Sequence, residues 1–431
     1  MKKHLLQSAV ICAIFLFLTG CGESGRDDQP RETASEAWQE TASEDGIVLA
    51  DSLDHAVVLQ VDADAQKITF WNLTLGKSYQ LAYDNATGIK SRYGEELVAG
   101  QLCEGDIVDV AFIKEEKKAK NIWLDAKATI AEQVTGFEIN RAARTMEMNG
   151  ERYSLCTYPA VISGTETLEL MDINSMDTLR VVSIDHTVYS ICITNGHGYV
   201  RLVNAEAFEG GWVEFGQSVI RKVEQDMLLV IPAGEYDMLI SNRGNAGTKH
   251  VTVRPNEESQ VDVSDLAVSQ EKKEGGIVFT ITPSDAVLSI DGTEVDYSSV
   301  VYLSYGIHQI ELKAEGYQTV SKYIKVGEEM ANLSIDMNRS DTQNDSSVSS
   351  NSVVSAAATG DYKVYIDAPS GGELYVDGKY IGLIPTSFEK KSGTYTVSVR
   401  KSGYRTRSYS LEVDDSQKDV HYSFSELEKS E

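Results

Sequence analysis

The chain is predicted to be all-β: tandem small β-barrel and β-sandwich modules on a flexible N-terminal tether. Three observations carry that prediction. Short alternating apolar–polar stretches, such as Val57-Val58-Leu59-Gln60-Val61, Val278-Phe279-Thr280-Ile281 and Thr396-Val397-Ser398-Val399, recur between Gly, Asn and Asp residues, which is the two-residue period of half-buried strands. No long segment shows the 3.6-residue period of an amphipathic helix. Proline is scarce, at 7 of 431 residues, as suits strand-rich modules joined through glycine turns.

Composition bounds the rest. The length allows about three domains at roughly 150 residues each, every one large enough for its own core. A hydrophobic fraction of 42% and glycine without a three-residue period argue against a disordered or collagen-like chain. With 39 basic and 66 acidic residues, the formal net charge of -27 sets the wrong field for a phosphate backbone, so nucleic acid is not an expected partner. The same field opposes a charge-driven contact with an anionic membrane.

At the N-terminus, Lys2, Lys3 and His4 precede the apolar run Ala9 to Leu18, which ends in Leu18-Thr19-Gly20-Cys21. The run falls short of the about 20 residues that span a bilayer and suits the h-region of a secretory signal. Its end resembles the lipobox of bacterial lipoproteins. That resemblance implies a signal peptide over 1–20, cleavage before Cys21 and a diacylglyceryl group on its thiol; the alternative is an ordinary signal with a chance Gly-Cys. Two acyl chains hold a protein on a bilayer where one is marginal. The bilayer is therefore an expected partner through Cys21, with the chain at the extracytoplasmic face of the cell membrane. Residues 21–45, rich in Glu, Asp, Ser and Thr, have little to bury and read as an acidic tether.

Residues 46–126 and 131–193 read as two small barrel-like repeats. Gly76-Lys77-Ser78-Tyr79-Gln80-Leu81 matches Gly150-Glu151-Arg152-Tyr153-Ser154-Leu155, and Asp106-Ile107-Val108-Asp109-Val110 matches Asp177-Thr178-Leu179-Arg180-Val181. Tyr93 to Leu102 is expected as a short helix plugging one end. Of the five cysteines, Cys12 leaves with the signal and Cys21 carries lipid. Cys103, Cys156 and Cys192 are too widely spaced for a disulfide framework or zinc site. They read as small buried hydrophobes, with a Cys156–Cys192 bridge left open.

The second repeat is sharper. Pro283-Ser284-Asp285-Ala286-Val287-Leu288-Ser289-Ile290-Asp291-Gly292 lines up with Pro369-Ser370-Gly371-Gly372-Glu373-Leu374-Tyr375-Val376-Asp377-Gly378. Asp-Gly marks a two-residue hairpin, whose central positions both need positive φ. In each copy an alternating strand follows between paired glycines, Gly306 to Gly316 and Gly393 to Gly403. These residues resemble the PEGA domain, a small bacterial β-sandwich. Neither copy carries the full Pro-Glu-Gly-Ala motif; Gly382-Leu383-Ile384-Pro385-Thr386 is close to the family's Gly-x-x-Pro link, which is missing from the earlier copy. The resemblance covers 276–337 and 361–425, with 196–263 as a degenerate third copy, and it implies an extracytoplasmic binding or spacer role with no catalytic residues. A Ser/Asn-rich linker, 338–360, separates the last two modules. Five modules in series imply a rod with one elbow.

No P-loop, Gly-x-Ser-x-Gly, His-Glu-x-x-His or dinucleotide fingerprint occurs, and no cofactor, metal site or catalytic residue is expected. His197, in Asn195-Gly196-His197-Gly198-Tyr199, reads as a polar turn residue. The remaining candidate is a stretch without acid between Glu389 and Glu412: Lys390, Lys391, Arg400, Lys401, Arg405 and Arg407. On alternating strands these form a candidate surface for anionic wall polymer or peptidoglycan, against the plainer reading of solvated, edge-protecting cations. The sequence thus points to a lipid-anchored, non-enzymatic envelope protein with a binding or scaffold surface near the cell wall. The alternative is an accessory or sensory subunit whose modules bind a membrane protein.

Overall fold

Period-two patterning without long amphipathic runs leaves the chain one way to bury its apolar faces, sheet against sheet. A computed structural model describes residues 50–216, 219–242, 245–267, 273–340 and 362–430. The signal, Cys21, the tether and nearly all of 338–360 lie outside them. The fold is all-β: regular structure among the described residues is strand, broken by 3-10 turns such as Ala99–Gln101 and Leu170–Asp172. No helix among them is long and apolar enough to cross a membrane. The expected helix over Tyr93 to Leu102 is not formed. A bridge between Lys90 and Glu96 and the single turn Ala99–Gln101 stand there, too short a run between glycines to nucleate a helix.

In the first repeat the strand order is Lys77–Ala82, Lys67–Asn72, Ser52–Asp62, Ile107–Ile113, Lys118–Leu124 and Gly88–Lys90. Lys118–Leu124 swings back to touch Lys77–Ala82 at one pair, Ala82 with Lys118, closing a barrel. Phe70, Ile68, Val108, Val110 and Ile122 fill it, all fully buried. The second repeat is built likewise around Met146, Leu179, Val181 and Ile191. Between the two lies a further apolar layer, Val57, Leu59, Ile107, Ala160, Ile162, Val182 and Cys192, so both faces of several strands are covered.

The Asp106/Asp177 repeat has a structural meaning. Each carboxylate caps its own turn: Asp106 Oδ2 accepts from the Cys103 N–H at 2.8 Å, and Asp177 Oδ2 from the Asn174 N–H at 2.8 Å. The other oxygen is left free to grip the next module. Asp106 Oδ1 accepts from Arg180 Nη2 at 2.8 Å, and Asp177 Oδ1 from His197 Nδ1 at 2.6 Å. One local turn, used twice, makes two successive inter-module joints. All three cysteines are free. Cys192 is buried as expected, whereas Cys103 is exposed at a turn, and the Cys156–Cys192 bridge is not formed.

Three seven-stranded sandwiches follow, starting at His197–Val203, Glu274–Thr282 and Lys363–Ala368. In each, the first strand pairs antiparallel with the fourth and parallel with the seventh, while the others form a sheet in the order third, second, fifth, sixth. The Asp-Gly turns are two-residue hairpins, with φ of 51° and 80° at Asp291 and Gly292 and of 50° and 88° at Asp377 and Gly378.

The fourth module contains a pH-sensitive pair. His308 donates from Nδ1 to Asp291 Oδ2 at 2.7 Å and from Nε2 to the Ser304 carbonyl at 2.8 Å. Two acceptors require the imidazolium. Burial pulls the His308 pKa down, but the bonds to Asp291 and Ser304 outweigh it and raise the value above 6.5. Burial likewise opposes ionisation of Asp291, yet its bonds from His308 and the Gln309 N–H hold it below the usual 3.8. The histidine contribution is therefore complete below about pH 6.5 and fades as pH rises through the raised folded-state value. The Asp291 contribution is complete above the ordinary carboxylate range and fades only as pH falls through its lowered value. Hydrogen exchange in Gly306–Lys313, corrected for the intrinsic pH dependence, is expected to quicken above neutrality, and His308→Gln to flatten that dependence.

Candidate functional site: the junction cleft

The modules do not run as an open rod. The last sandwich returns to the joint between the second repeat and the third module, and the reason lies in its outward-facing residues. Ser398, Thr406 and Ser408 are only 2%, 5% and 4% exposed: they are small hydroxyl residues, two on a sheet face and Thr406 just before its strand, letting another backbone approach closely. Tyr199, Leu228 and Tyr375 form an apolar cluster across the contact.

At its centre is a chain of hydrogen bonds through three modules. Asp177 is acceptor-only as a carboxylate, so His197 carries its proton on Nδ1 and leaves Nε2 as an acceptor. The Ser408 hydroxyl donates to that nitrogen at 2.6 Å. Asn174 Nδ2 reaches Ser408 Oγ at 3.4 Å. Tyr199 packs edge-on to the imidazole with its hydroxyl 3.4 Å from Nε2. His197 opens the first strand of the third module. It reaches back to Asp177 because Thr187–Asn195 ends beside the turn that Asp177 caps.

Ion pairs flank this chain. Arg407 Nη2 donates to Asp172 Oδ1 at 2.7 Å, and its guanidinium lies over Tyr409, 5.6 Å from the ring centre. Arg400 donates from Nε to Glu258 Oε2 at 2.7 Å and from Nη1 to Glu373 Oε2 at 2.8 Å. Lys379 faces Glu224 at 3.1 Å. The Asp377-Gly378 turn also docks by backbone: the Leu228 N–H donates to the Gly378 carbonyl at 2.9 Å.

That last contact yields a paired prediction. A Cβ at Gly378 would lie 3.2 Å from the Leu228 carbonyl oxygen, whereas at its counterpart Gly292 it would meet nothing within 4 Å. Alanine at either position costs about 1–2 kcal/mol for its left-handed backbone. Only Gly378→Ala should also quicken hydrogen exchange at the Leu228 amide; equal behaviour of the two variants would contradict the docking.

Of the six cations singled out in the sequence, Arg400 and Arg407 are engaged with acids of other modules. Lys390 is turned to Asp414 and Ser416 of its own, with a side chain 3% exposed. Lys391 lies 3.4 Å from Glu389 and Arg405 3.9 Å from Glu428, and Lys401 sits 5.2 Å over the Tyr404 ring. The stretch looks unopposed in sequence because the acids that meet Arg400 and Arg407 come from other modules, while those that meet Lys390, Lys391 and Arg405 lie at or beyond its two ends. Sequence reasoning missed Ser408 and the role of Asp177; the repeated Asp106/Asp177 signal was the clue available.

Beside the hydrogen-bonded chain opens a cleft of about 540 Å³ lined by the Ser163–Leu168 hairpin, Asn195, Asn256, Arg405 and Thr406 as well as His197 and Ser408. Among the described residues no group of three or more His, Cys, Asp or Glu side chains is placed to hold a metal ion.

A PEGA domain is detected at residues 361–430, the returning module. No curated protein matches the chain. Among solved structures, the Bacillus anthracis TIE protein is similar over 87% of this chain and 68% of its own, at 12% identity and a TM-score of 0.18. BcpA, the major pilin subunit of Bacillus cereus, is similar over 55% of this chain and 100% of its own, at 10% identity and a TM-score of 0.11.

Proposed function

We propose that this chain is a lipid-anchored protein on the extracytoplasmic face of the cell membrane, whose β-modules form a non-catalytic binding scaffold near the cell wall. The PEGA module supports an envelope setting. The observation that carries the reading is the return of that module onto the second and third. Its strongest cations are used in holding three modules together, and what remains open is a cleft of short polar side chains and turns. Such a lining suits hydroxyl- and amide-bearing polymer such as peptidoglycan better than a phosphate-dense chain, because Arg405 is the cation it presents without a partner in another module.

The protein from Cys21 onward, immobilised and presented with purified peptidoglycan, anionic wall polymer and detergent-solubilised membrane proteins, tests this. Retention of peptidoglycan that is lost when Thr165→Trp obstructs the cleft supports it. Retention of anionic polymer abolished by Arg405→Glu moves the site to the basic stretch. A stoichiometric membrane protein would replace the polymer with a protein partner. Cys21→Ala should release the protein from membranes; continued attachment would remove the anchor from the proposal.

One observation favours a second reading. Asp177, His197 and Ser408 stand at the distances of a nucleophile activated by a carboxylate-oriented imidazole. Acyl transfer also needs donors for the developing oxyanion, and Asn174 Nδ2 at 3.4 Å from Ser408 Oγ is the side-chain donor beside it. Labelling of Ser408 by a fluorophosphonate, absent in Ser408→Ala, would overturn the non-catalytic reading.

A further inference from the structure

We propose that the first module takes an extended acidic peptide as an added strand along the open edge of Lys77–Ala82. That strand pairs with Lys67–Asn72 on one side, but on the other its contact with Lys118–Leu124 is the single pair at Ala82. From Lys77 to Gln80 the second edge has no ladder among the described residues. A cavity of about 670 Å³ occupies the gap, and every residue from Lys77 to Ala82 lines it. Consecutive rather than alternate residues mean that the backbone edge itself faces the cavity, the arrangement that strand addition uses.

The floor is apolar, with Leu81 and Phe112 buried and Tyr79 stacked on Phe70 and 5.8 Å from the Phe112 ring. The Tyr79 hydroxyl is buried there without a hydrogen bond of normal geometry, the Asp54 carboxylate standing beside it. Burial, and after it the neighbouring Asp54, hold the phenol far above its usual pKa, so it stays an O–H donor. Exposed Lys67, Lys77, Lys114 and Lys117 ring the opening against Asp54 and Glu116, and none of the four makes an ion pair within 4 Å among the described residues. In a chain of net charge -27 this is a local excess of unneutralised cation. Edge lysines repel neutral or basic strands, which must bury their charge, and admit an acidic one.

The matching strand of the second repeat also leaves Glu151 to Tyr153 without a second ladder among the described residues, so the open edge is common to both barrels and it is the lining that differs. There Phe112 is replaced by Ser183, Lys77 by Glu151, and the turn Lys114-Glu115-Glu116-Lys117 by Asp185-His186. The matching Tyr153 donates its hydroxyl to Glu151 Oε2 at 3.0 Å. The aromatic floor, the longer turn and three of the four cations belong to the first repeat's own differences.

The test is fluorescence anisotropy with the full chain and three eight-residue probes: glutamate alternating with valine, lysine alternating with valine, and the glutamate peptide N-methylated at every second residue. The glutamate peptide should bind saturably, at least tenfold more tightly than the other two, and weaken with salt. Lys114→Glu with Lys117→Glu, both on an exposed turn, should lower its affinity at least tenfold without changing the far-ultraviolet circular dichroism. No binding, equal binding of the lysine probe, or indifference to N-methylation overturns the proposal. So does lysine-dependent binding of anionic phosphatidylglycerol vesicles without peptide binding, which would assign the cavity to an amphiphile.

Discussion

Asp177→Ala is expected to quicken hydrogen exchange in three modules at once: in Thr178–Ile184, in His197–Val203 and in the distant Arg407–Val413. The carboxylate is fully buried and serves two donors, the Asn174 N–H at 2.8 Å and His197 Nδ1 at 2.6 Å. Without it both are stranded, at about 1–3 kcal/mol each, so the loss should come to about 3 kcal/mol. The effect reaches the last module because His197 Nε2 accepts from Ser408 only while Nδ1 holds the proton; freed from Asp177, the ring can turn or change tautomer. Asp177→Asn keeps an acceptor for only one of the two donors and turns its NH2 on the other, so it should restore the turn at Asn174 or the bond to His197 but not both, and protection in Arg407–Val413 should return only in part. Exchange confined to Thr178–Ile184 would mean that the bond to Ser408 is incidental. Because the modules need not unfold together, a single melting temperature is the wrong readout, and segment-resolved exchange the right one.

The contrast between this site and the fold shows what a linear sequence displays. Strands such as Val57-Val58-Leu59-Gln60-Val61 declare themselves because alternation is local, and the Asp-Gly turns do so because two adjacent positive φ values need those residues. Docking is not local: Arg407 meets Asp172 across 235 residues and His197 meets Ser408 across 211. On its strand Ser408 occupies what looks like a solvent-facing position, and only the approach of another module turns that face into an interior. The hint was chemical. Ser398, Thr406 and Ser408 are small, where a solvent face would carry long charged side chains. The acid-free stretch misled for the complementary reason, since Glu258, Glu373 and Asp172 are far away in sequence and near in space. The histidine at 197 reads as isolated because its partners belong to other modules.

The return of the last module has a second hold, and its removal should be nearly as costly. The Arg400 guanidinium is 16% exposed and joins Glu258 of the third module to Glu373 of its own. Behind Glu258 stands Arg201, whose Nε is 3.6 Å from the other carboxylate oxygen, so neither of those two atoms has a full hydrogen bond. Arg400 is thus the main compensation for two carboxylates, and Thr406 Oγ1 adds a long contact of 3.5 Å to the same Glu258 oxygen. Arg400→Ala leaves Glu258 and Glu373 facing each other without a cation between them, at about 2–3 kcal/mol for charge-assisted bonds of this kind. Arg400→Lys supplies the charge but not the fork that reaches both acids, and should recover less than half. Glu258→Gln separates charge from geometry: it should lose less than Arg400→Ala, since the amide oxygen still accepts from Nε while Glu373 keeps Nη1. The measurement is exchange in Glu373–Val376 and Gly393–Arg400 together with solution scattering of the whole chain, in which a released last module enlarges the radius of gyration. If Arg400→Ala leaves both unchanged, the other contacts, the chain through His197 and the Arg407–Asp172 pair among them, hold the module without it.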